Sequence, residues 1–244
     1  MPAEWWRYVM STLLLRLAAP IQAWGVDKFE RRGTERIPTK SGVIGLLAAA
    51  LGRRRNESIE DLSELCFGVR VDREGTLLRD FHTAKSQKSA YVTYRYYLSD
   101  AVFLVGLEGD EILLNQIDYA LHHPVFPLYL GRRSCPPEGK LSLGIRKGKT
   151  LIQALKEEPW QVSDRIKKTE DPEVRLRVIL DADGDSANWF IQRDFPLSFD
   201  QSNRQYGFRR VIEADPVLVF NSHSRQAITD VPTKHDPMQE LGEG

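Results

Sequence analysis

The sequence predicts an α+β fold, and three observations carry that expectation. Residues 12–17 (TLLLRL), 67–72 (FGVRVD) and 94–107 (YRYYLSDAVFLVGL) are short aliphatic or alternating runs, which read as strands. Residues 43–51 (VIGLLAAAL) and 110–121 (DEILLNQIDYAL) have helical composition, the first with capping residues before it and the second with apolar residues near helical spacing. Between the two groups lie turn signals such as Arg73-Glu74-Gly75, close enough together for sequential elements to pack on one another.

The first of those helices organises the chain. It follows a basic loop (RRGTER) and the segment Pro38-Thr39-Lys40-Ser41, in which Thr39 or Ser41 can cap it. Val43, Ile44, Leu46, Leu47 and Leu51, with alanines between them, leave it no polar face. A helix apolar all round is buried or in a membrane, and ten residues fall well short of the roughly 20 a bilayer needs. It is expected against a sheet, brought close by Gly42 and Gly45 and stopped by Gly52 at C′. Its N-terminus, with Lys40 beside it and Arg31, Arg32 and Arg36 in the preceding loop, makes an expected anion site, most simply for phosphate.

The remaining elements follow in order. Residues 1–9 carry two adjacent tryptophans and lead to Met10, expected as the functional start; intact mass of the native protein tests this. Arg16 interrupts the run of leucines after it, which argues against a signal peptide or an anchor. Residues 57–65 predict a second, amphipathic helix, and 77–82 a strand pairing with 67–72. Residues 84–93, polar and short of large aliphatics, predict a protruding loop or hairpin arm. Residues 94–107 predict one long strand, central at its apolar end, and 125–130 a short strand after the helix. Stripped of extras the order is βαββαβ, the split βαβ of ferredoxin-like folds, expected over 10–140. From 141 a mainly β subdomain is expected to 220: a short helix at 150–156, a charged linker at 164–171, strands at 174–180 and 188–191 around Asp183-Gly184, and another at 208–212. Residues 221–244 lack periodicity and are expected to be disordered.

Charge narrows the functional classes. Lys+Arg 34 against Asp+Glu 34 cancel, so any nucleic-acid surface must be a local patch. Two isolated cysteines, Cys66 and Cys135, fit a reducing cytoplasm and neither a zinc module nor a disulfide scaffold. No nucleophile elbow, phosphate-binding loop or zinc-protease motif occurs, and His122-His123 reads as a helix end; neither metal nor cofactor is expected. His82, with Arg79, Asp80, Lys85 and Tyr94 nearby, is the candidate for a metal-independent endoribonuclease, at a spacing that is generic. Binding is better supported. Arg31, Arg32, Arg36 and Lys40 form one cluster and Arg132 with Arg133 another. Arg79, Lys85, Lys88 and Arg95 line the arm among His82, Tyr91, Tyr94, Tyr96 and Tyr97. Cations interleaved with rings suit single-stranded RNA, the charges meeting phosphates and the rings meeting unstacked bases. A pure protein adaptor is the weaker third reading.

LLLRLAAPIQAWG, RIPTKSGVIGLLAAALG, FGVRVD, LRDFHTA, YRYYLSDAVF and YLGRRSCPP, in that order, resemble the CasD family of the type I-E CRISPR surveillance complex, Cascade, the fifth Cas family of the repeat-associated superfamily. The resemblance is strong over residues 13–137 and looser beyond, returning at FDQSNRQYGFRRVI. It implies a non-catalytic, cytoplasmic subunit that binds and caps the 5′ handle of CRISPR RNA. A thumb hairpin, at about 82–97, would reach the adjacent backbone subunit; the large subunit would dock alongside, and target DNA would be engaged only indirectly, with no membrane involved. Carried onto this chain, the resemblance places the handle-binding positions in 22–25, 36–41, 79–83 and 130–134; together with the basic clusters, the expected RNA-binding residues are Gln22, Trp24, Arg31, Arg32, Arg36, Thr39, Lys40, Ser41, Arg79, His82, Arg95, Arg132 and Arg133. In another type I subtype related subunits cleave precursor RNA themselves, whereas in type I-E a separate enzyme does so.

Overall fold

The computed structural model describes residues 10–25, 31–85, 90–182 and 188–225. Seven antiparallel strands form the main sheet, in the order β10-β11-β9-β4-β7-β1-β8. These are β1 (Ser11–Ala18), β4 (Cys66–Arg73), β7 (Val102–Gly109), β8 (Ser142–Arg146), β9 (Glu173–Asp181), β10 (Phe190–Ser198) and β11 (Gln205–Phe220). A smaller sheet is built on β6 (Ala90–Ser99), which pairs with β5 (Thr76–Lys85) as a hairpin and with the two-residue strands β2 (Ile21–Gln22) and β3 (Arg31–Arg32).

Helices α1 (Lys40–Ala50), α2 (Glu60–Ser63) and α3 (Glu111–His122) belong to the larger core, which gathers Leu13, Leu15, Leu17, Phe67, Val69, Phe103 and Val105 from one face of the main sheet. On the other face lies α4 (Leu151–Glu157), over Leu14, Leu104, Val178 and Leu180. It can lie that close because Gly68 and Gly106 are directly paired; a Cβ on Gly106 would come within 2.5 Å of Leu151 Cδ1. A fifth helix, α5 (Asp164–Lys167), stands where a charged linker was expected.

The α1 caps match the sequence signals, and Asp110 caps α3. The Thr39 hydroxyl accepts from Gly42 N, Asp110 accepts from Ile112 N and Leu113 N, and Gly52 ends α1 at φ +77°. Further expectations are corrected: the second helix is confined to Glu60–Ser63, and β10 pairs with β11 and not with β9. Residues 94–107 form two strands in different sheets, because Asp100 breaks the run at φ +55°. Residues 77–82 therefore pair with β6, not with 67–72. Residues 125–130 are irregular, and the strand flanking β1 is β8 instead. Finally, Gly42 and Gly45 approach Trp24 and Phe199, not the sheet.

Burial also departs from pattern. Strand β4, which alternates like a half-buried strand, is covered on both faces, so Arg70 and Asp72 are fully internal. They pair with each other, at 2.7 Å through Nε, and Arg70 donates to the carbonyls of Leu155, Glu158 and Pro159. At the end of the described chain Asn221 is buried, its amide donating to the carbonyls of Lys167, Glu170 and Asp171. The rest of the tail, from 226, lies outside the described residues.

Candidate nucleic-acid interface

Small residues on α1 create the principal cleft. Ser41, Gly42, Gly45, Ala48 and Ala49 lie at helical spacing, and where they face outward the helix leaves room instead of filling it. The resulting cavity, about 640 Å³, is walled by Trp24, by Phe126 and Tyr129 of the loop after α3, and by Phe199 and Tyr206 around the β10–β11 turn. Arg53, Arg54 and Arg55, just past the helix stop, line it together with Arg133 and Arg204. The Arg204 Nε is buried, yet it is a side-chain donor without a partner among the described residues. A buried unpaired guanidinium nitrogen is costly, so a cleft that contains one is set up to receive an acceptor. Among the described residues, Arg53 alone of the three consecutive arginines has a side-chain carboxylate partner: it grips Asp61 at 2.5 Å through each terminal nitrogen. That hydrogen bond, with the charge of Arg53, holds the Asp61 carboxyl below its ordinary range against the opposing effect of partial burial.

The anion expected at the α1 N-terminus is already supplied by the protein. Asp194 of β10 is buried and accepts the backbone N–H of Lys40 at 2.8 Å. It also binds Arg209 of β11 through Nε (2.6 Å) and Nη2 (2.9 Å). Arg209 reaches Asp181 at 2.6 Å, and Asp181 pairs with the Lys40 ammonium at 3.0 Å and accepts from Phe67 N. Two cations and two carboxylates thus close an internal network that ties α1 to β4, β9, β10 and β11. Lys40 is accordingly a structural cation with a buried side chain, not a surface charge.

The other expected positions separate into groups. Gln22 is buried, donating to the carbonyls of Leu17 and Ala101 and accepting from Trp24 Nε1, so it orients the tryptophan that walls the cleft. Thr39 and Ser41 are buried and line the cleft edge. Arg133 is exposed and faces the cleft, whereas Arg132 donates to the carbonyls of Tyr96, Arg32 and Gly33 and lies 4.9 Å from the Tyr97 ring centre. The two adjacent arginines therefore differ in role, and Arg132 fixes the loop that presents Arg133. Gly131 permits that loop: its φ is +85°, and a Cβ there would sit 1.6 Å from the carbonyl oxygen of Ala23. Tyr97 lies under the same cluster. Burial pushes its phenol up, but hydrogen bonds with Ser134, Arg132 and Arg95 outweigh this and leave it below the ordinary value.

Arg36 goes elsewhere. It lines a second groove, of about 460 Å³, with Arg177, Arg193, Ile37 and Ile191. Arg32 sits in the two-residue strand beside β6, paired in register with Arg95, and Arg31 pairs with Tyr94. On the β5–β6 hairpin, Arg79 lies 5.3 Å from the Tyr94 ring centre. His82 and Asp80, two residues apart on β5, share the opposite face with Arg95, which is directly across from Asp80. His82 Nε2 is 2.6 Å from the Asp80 carboxylate, and both side chains are nearly half exposed. Lys88 lies outside the described residues. Sequence reasoning missed Arg53–Arg55 and Arg204 as site residues; three consecutive arginines directly after a helix-stopping glycine were the available signal for the first group. No group of three or more His, Cys, Asp or Glu among the described residues has the arrangement to hold a metal ion.

This architecture defines a known class. A family model described as CRISPR-associated protein (Cas_Cas5) matches residues 12–212, and the chain belongs to that family. Among curated proteins it is similar to the CRISPR system Cascade subunit CasD of Escherichia coli (strain K12), at 40% identity over 169 residues, which cover 59% of this chain and 75% of that one. A solved structure described as a CRISPR RNA-guided surveillance complex contains a chain matching with a TM-score of 0.71 at 33% identity, over 90% of this chain and 95% of that one. Another, described as a crystal structure of a Cas protein, gives 0.66 at 39% identity over 88% and 98%. The family resemblance drawn from the sequence motifs is borne out. No helix among the described residues is long and apolar enough to cross a membrane.

Proposed function

We propose that the chain is a non-catalytic, cytoplasmic subunit of a Cascade-type surveillance complex, which holds and caps the 5′ handle of CRISPR RNA. The observation that carries this reading is the cleft on α1. It combines a floor of small residues, wide enough for a base, with aromatic walls and five arginines, one of which keeps a buried donor unpaired. Arginines would neutralise phosphates and give affinity, while unstacked bases against Tyr129 and Tyr206 would give selectivity. The strand order β4-β7-β1-β8, with α1 and α3 on the same face, supports a ferredoxin-like reading of the core. The β5–β6 hairpin would be the thumb that meets the backbone subunit, and the large subunit would dock alongside, leaving target DNA contacted indirectly.

The test is binding of a labelled repeat-derived RNA to the full chain, with and without magnesium, following binding and cleavage on one gel. Intact bound RNA is expected. Arg133→Ala with Arg204→Ala should weaken binding and flatten its dependence on log salt by about 1.4, since each phosphate contact to a single strand contributes about 0.7. Unchanged affinity in that double variant would refute the cleft as the handle site. A specific cut abolished by His82→Ala would instead establish the endoribonuclease.

A further inference from the structure

The arginines of the α1 cleft stand at three stations along the helix. At its first turn Trp24 lies against Gly42, where a Cβ would fall 2.8 Å from the ring. The neighbouring Ala23 N–H donates to the carbonyl of Leu130 at 3.2 Å, which seats the loop carrying Arg133 at this end. Midway, Phe199 covers Gly45, 3.7 Å from where a Cβ would stand, and belongs to the β10–β11 turn that carries Arg204. Beyond the last turn come Arg54 and Arg55, after Arg53, whose N–H donates to the Ala48 carbonyl at 2.9 Å. Both are exposed and have no carboxylate partner among the described residues. No aspartate or glutamate is among the described residues that line the cleft. The rings of Phe126, Tyr129, Phe199 and Tyr206 stand among the stations, and none has a cation or a second ring over its face among the described residues.

Helix α1 is 11 residues long, so the outer stations lie about 16 Å apart along its axis. A stacked strand advances about 3.4 Å per phosphate, and three successive phosphates would cover less than half of that span. An unstacked strand advances roughly twice as far per phosphate, so two steps, and hence three phosphates, cover nearly the whole of it. Unstacking gives up base–base contact, which stacking on the free rings offsets. We infer that the cleft seats three consecutive phosphates of an unstacked RNA strand, on Arg133, on Arg204 and on the Arg54–Arg55 pair, with the two intervening bases turned onto the rings. This rests on the handle reading and adds to it the length of strand held and two contacts past the end of α1.

The full chain would be titrated, by fluorescence anisotropy, into labelled repeat RNA in which one phosphate at a time is a neutral methylphosphonate. Three consecutive linkages should each weaken wild-type binding at least threefold. Arg133→Ala should become indifferent to one outer linkage, Arg204→Ala to the middle one, and Arg54→Ala with Arg55→Ala to the other outer one, two steps away. The last variant should also flatten the dependence on log salt by about 0.7, the share of one phosphate. Arg54, Arg55 and Arg133 are exposed, so these variants should fold, and matched melting curves check this. The inference is overturned if Arg54→Ala with Arg55→Ala binds unmodified RNA as tightly as wild type. It is equally overturned if the variants lose sensitivity at one shared linkage, or at linkages more than two steps apart. Wild type that binds no repeat RNA refutes the handle reading itself, and this inference with it.

Discussion

Replacing Asp194 with alanine should be among the most damaging single changes in this protein. The carboxylate is 1% exposed and holds three donors: Arg209 Nε at 2.6 Å, Arg209 Nη2 at 2.9 Å and the Lys40 backbone N–H at 2.8 Å. Asp181 would remain as a partner of Arg209, so the guanidinium would be half paired and not wholly orphaned. Breaking a buried pair by removing one member costs about 3–5 kcal/mol. The unpaired N–H at the α1 N-terminus overlaps with that figure, since leaving a buried donor unsatisfied costs about 1–3 kcal/mol alone. A net loss of about 4 kcal/mol is expected, a large part of the roughly 5–15 kcal/mol that holds most domains together. Urea unfolding followed by tryptophan fluorescence would measure it, because Trp24 and Trp160 are both buried. Adding Arg209→Met to Asp194→Leu should cost less than Asp194→Ala alone, because the uncompensated charge is then gone. A loss below about 1 kcal/mol for Asp194→Ala, the size of an exposed ion pair, would refute the argument that this network holds α1 to the sheet.

Three further outcomes are expected. Gly45→Ala should be tolerated or stabilising by up to about 1 kcal/mol, since its Cβ would meet Phe199 at an ordinary 3.7 Å and alanine favours helix; Gly42→Ala should destabilise, its Cβ falling 2.8 Å from Trp24 and 2.9 Å from Thr39 Oγ1. Thermal melts of the two variants compare them directly. Gly131→Ala should lower RNA affinity more than it lowers the melting temperature, because it displaces the loop that carries Arg133. For pH, Asp61 and Glu213 are held below their ordinary values, 3.8 and 4.5, chiefly by hydrogen bonds from Arg53 and Arg177. Their folded pKa values lie below the unfolded ones, so their stabilisation is complete above about pH 4.5 and is lost as pH falls through the folded values. Asp61→Asn should flatten the acid limb of a stability–pH curve, and an unaltered limb would remove Asp61 from that account.

Local signals made part of this structure legible. Helix α1 announces itself through Thr39 and Gly52, because caps are chemistry between near neighbours, and α3 through the spacing of Ile112, Leu113, Ile117 and Ala120. Residues 94–107 misled because their apolar run carries neither Gly nor Pro where the chain changes sheet; Asp100 takes the left-handed conformation itself. Strand β8 went unread because Gly144 and the surrounding basic residues dilute its pattern. The candidate site was legible as composition but not as geometry. Lys40 and Asp181 are 141 positions apart, and nothing local marks that Lys40 will turn inward or that Asp194 will fill the site expected for phosphate. Arg132 and Arg133, identical in sequence terms, diverge because a single backbone turn at Gly131 aims one at carbonyls and the other at the cleft. Arg204 lies in a polar turn whose only notable property, a guanidinium nitrogen closed off from water, exists once Phe199 and Tyr206 have folded over α1.

The Arg132 staple has a mechanical meaning. One guanidinium grips the base of the β5–β6 arm at Tyr96 and the neighbouring strand end at Arg32 and Gly33, while its own backbone carries the loop that ends in the cleft. The arm is thus a lever with its fulcrum beside the cavity. A neighbour that tilted the arm would then pull on the loop that carries Arg133, and a ligand that fixed Arg133 would restrain the arm through the same hydrogen bonds. By reciprocity, whatever energy couples the two events acts equally in both directions. Occupancy of the cleft and capture of the next molecule along the arm would then be parts of one ordered step.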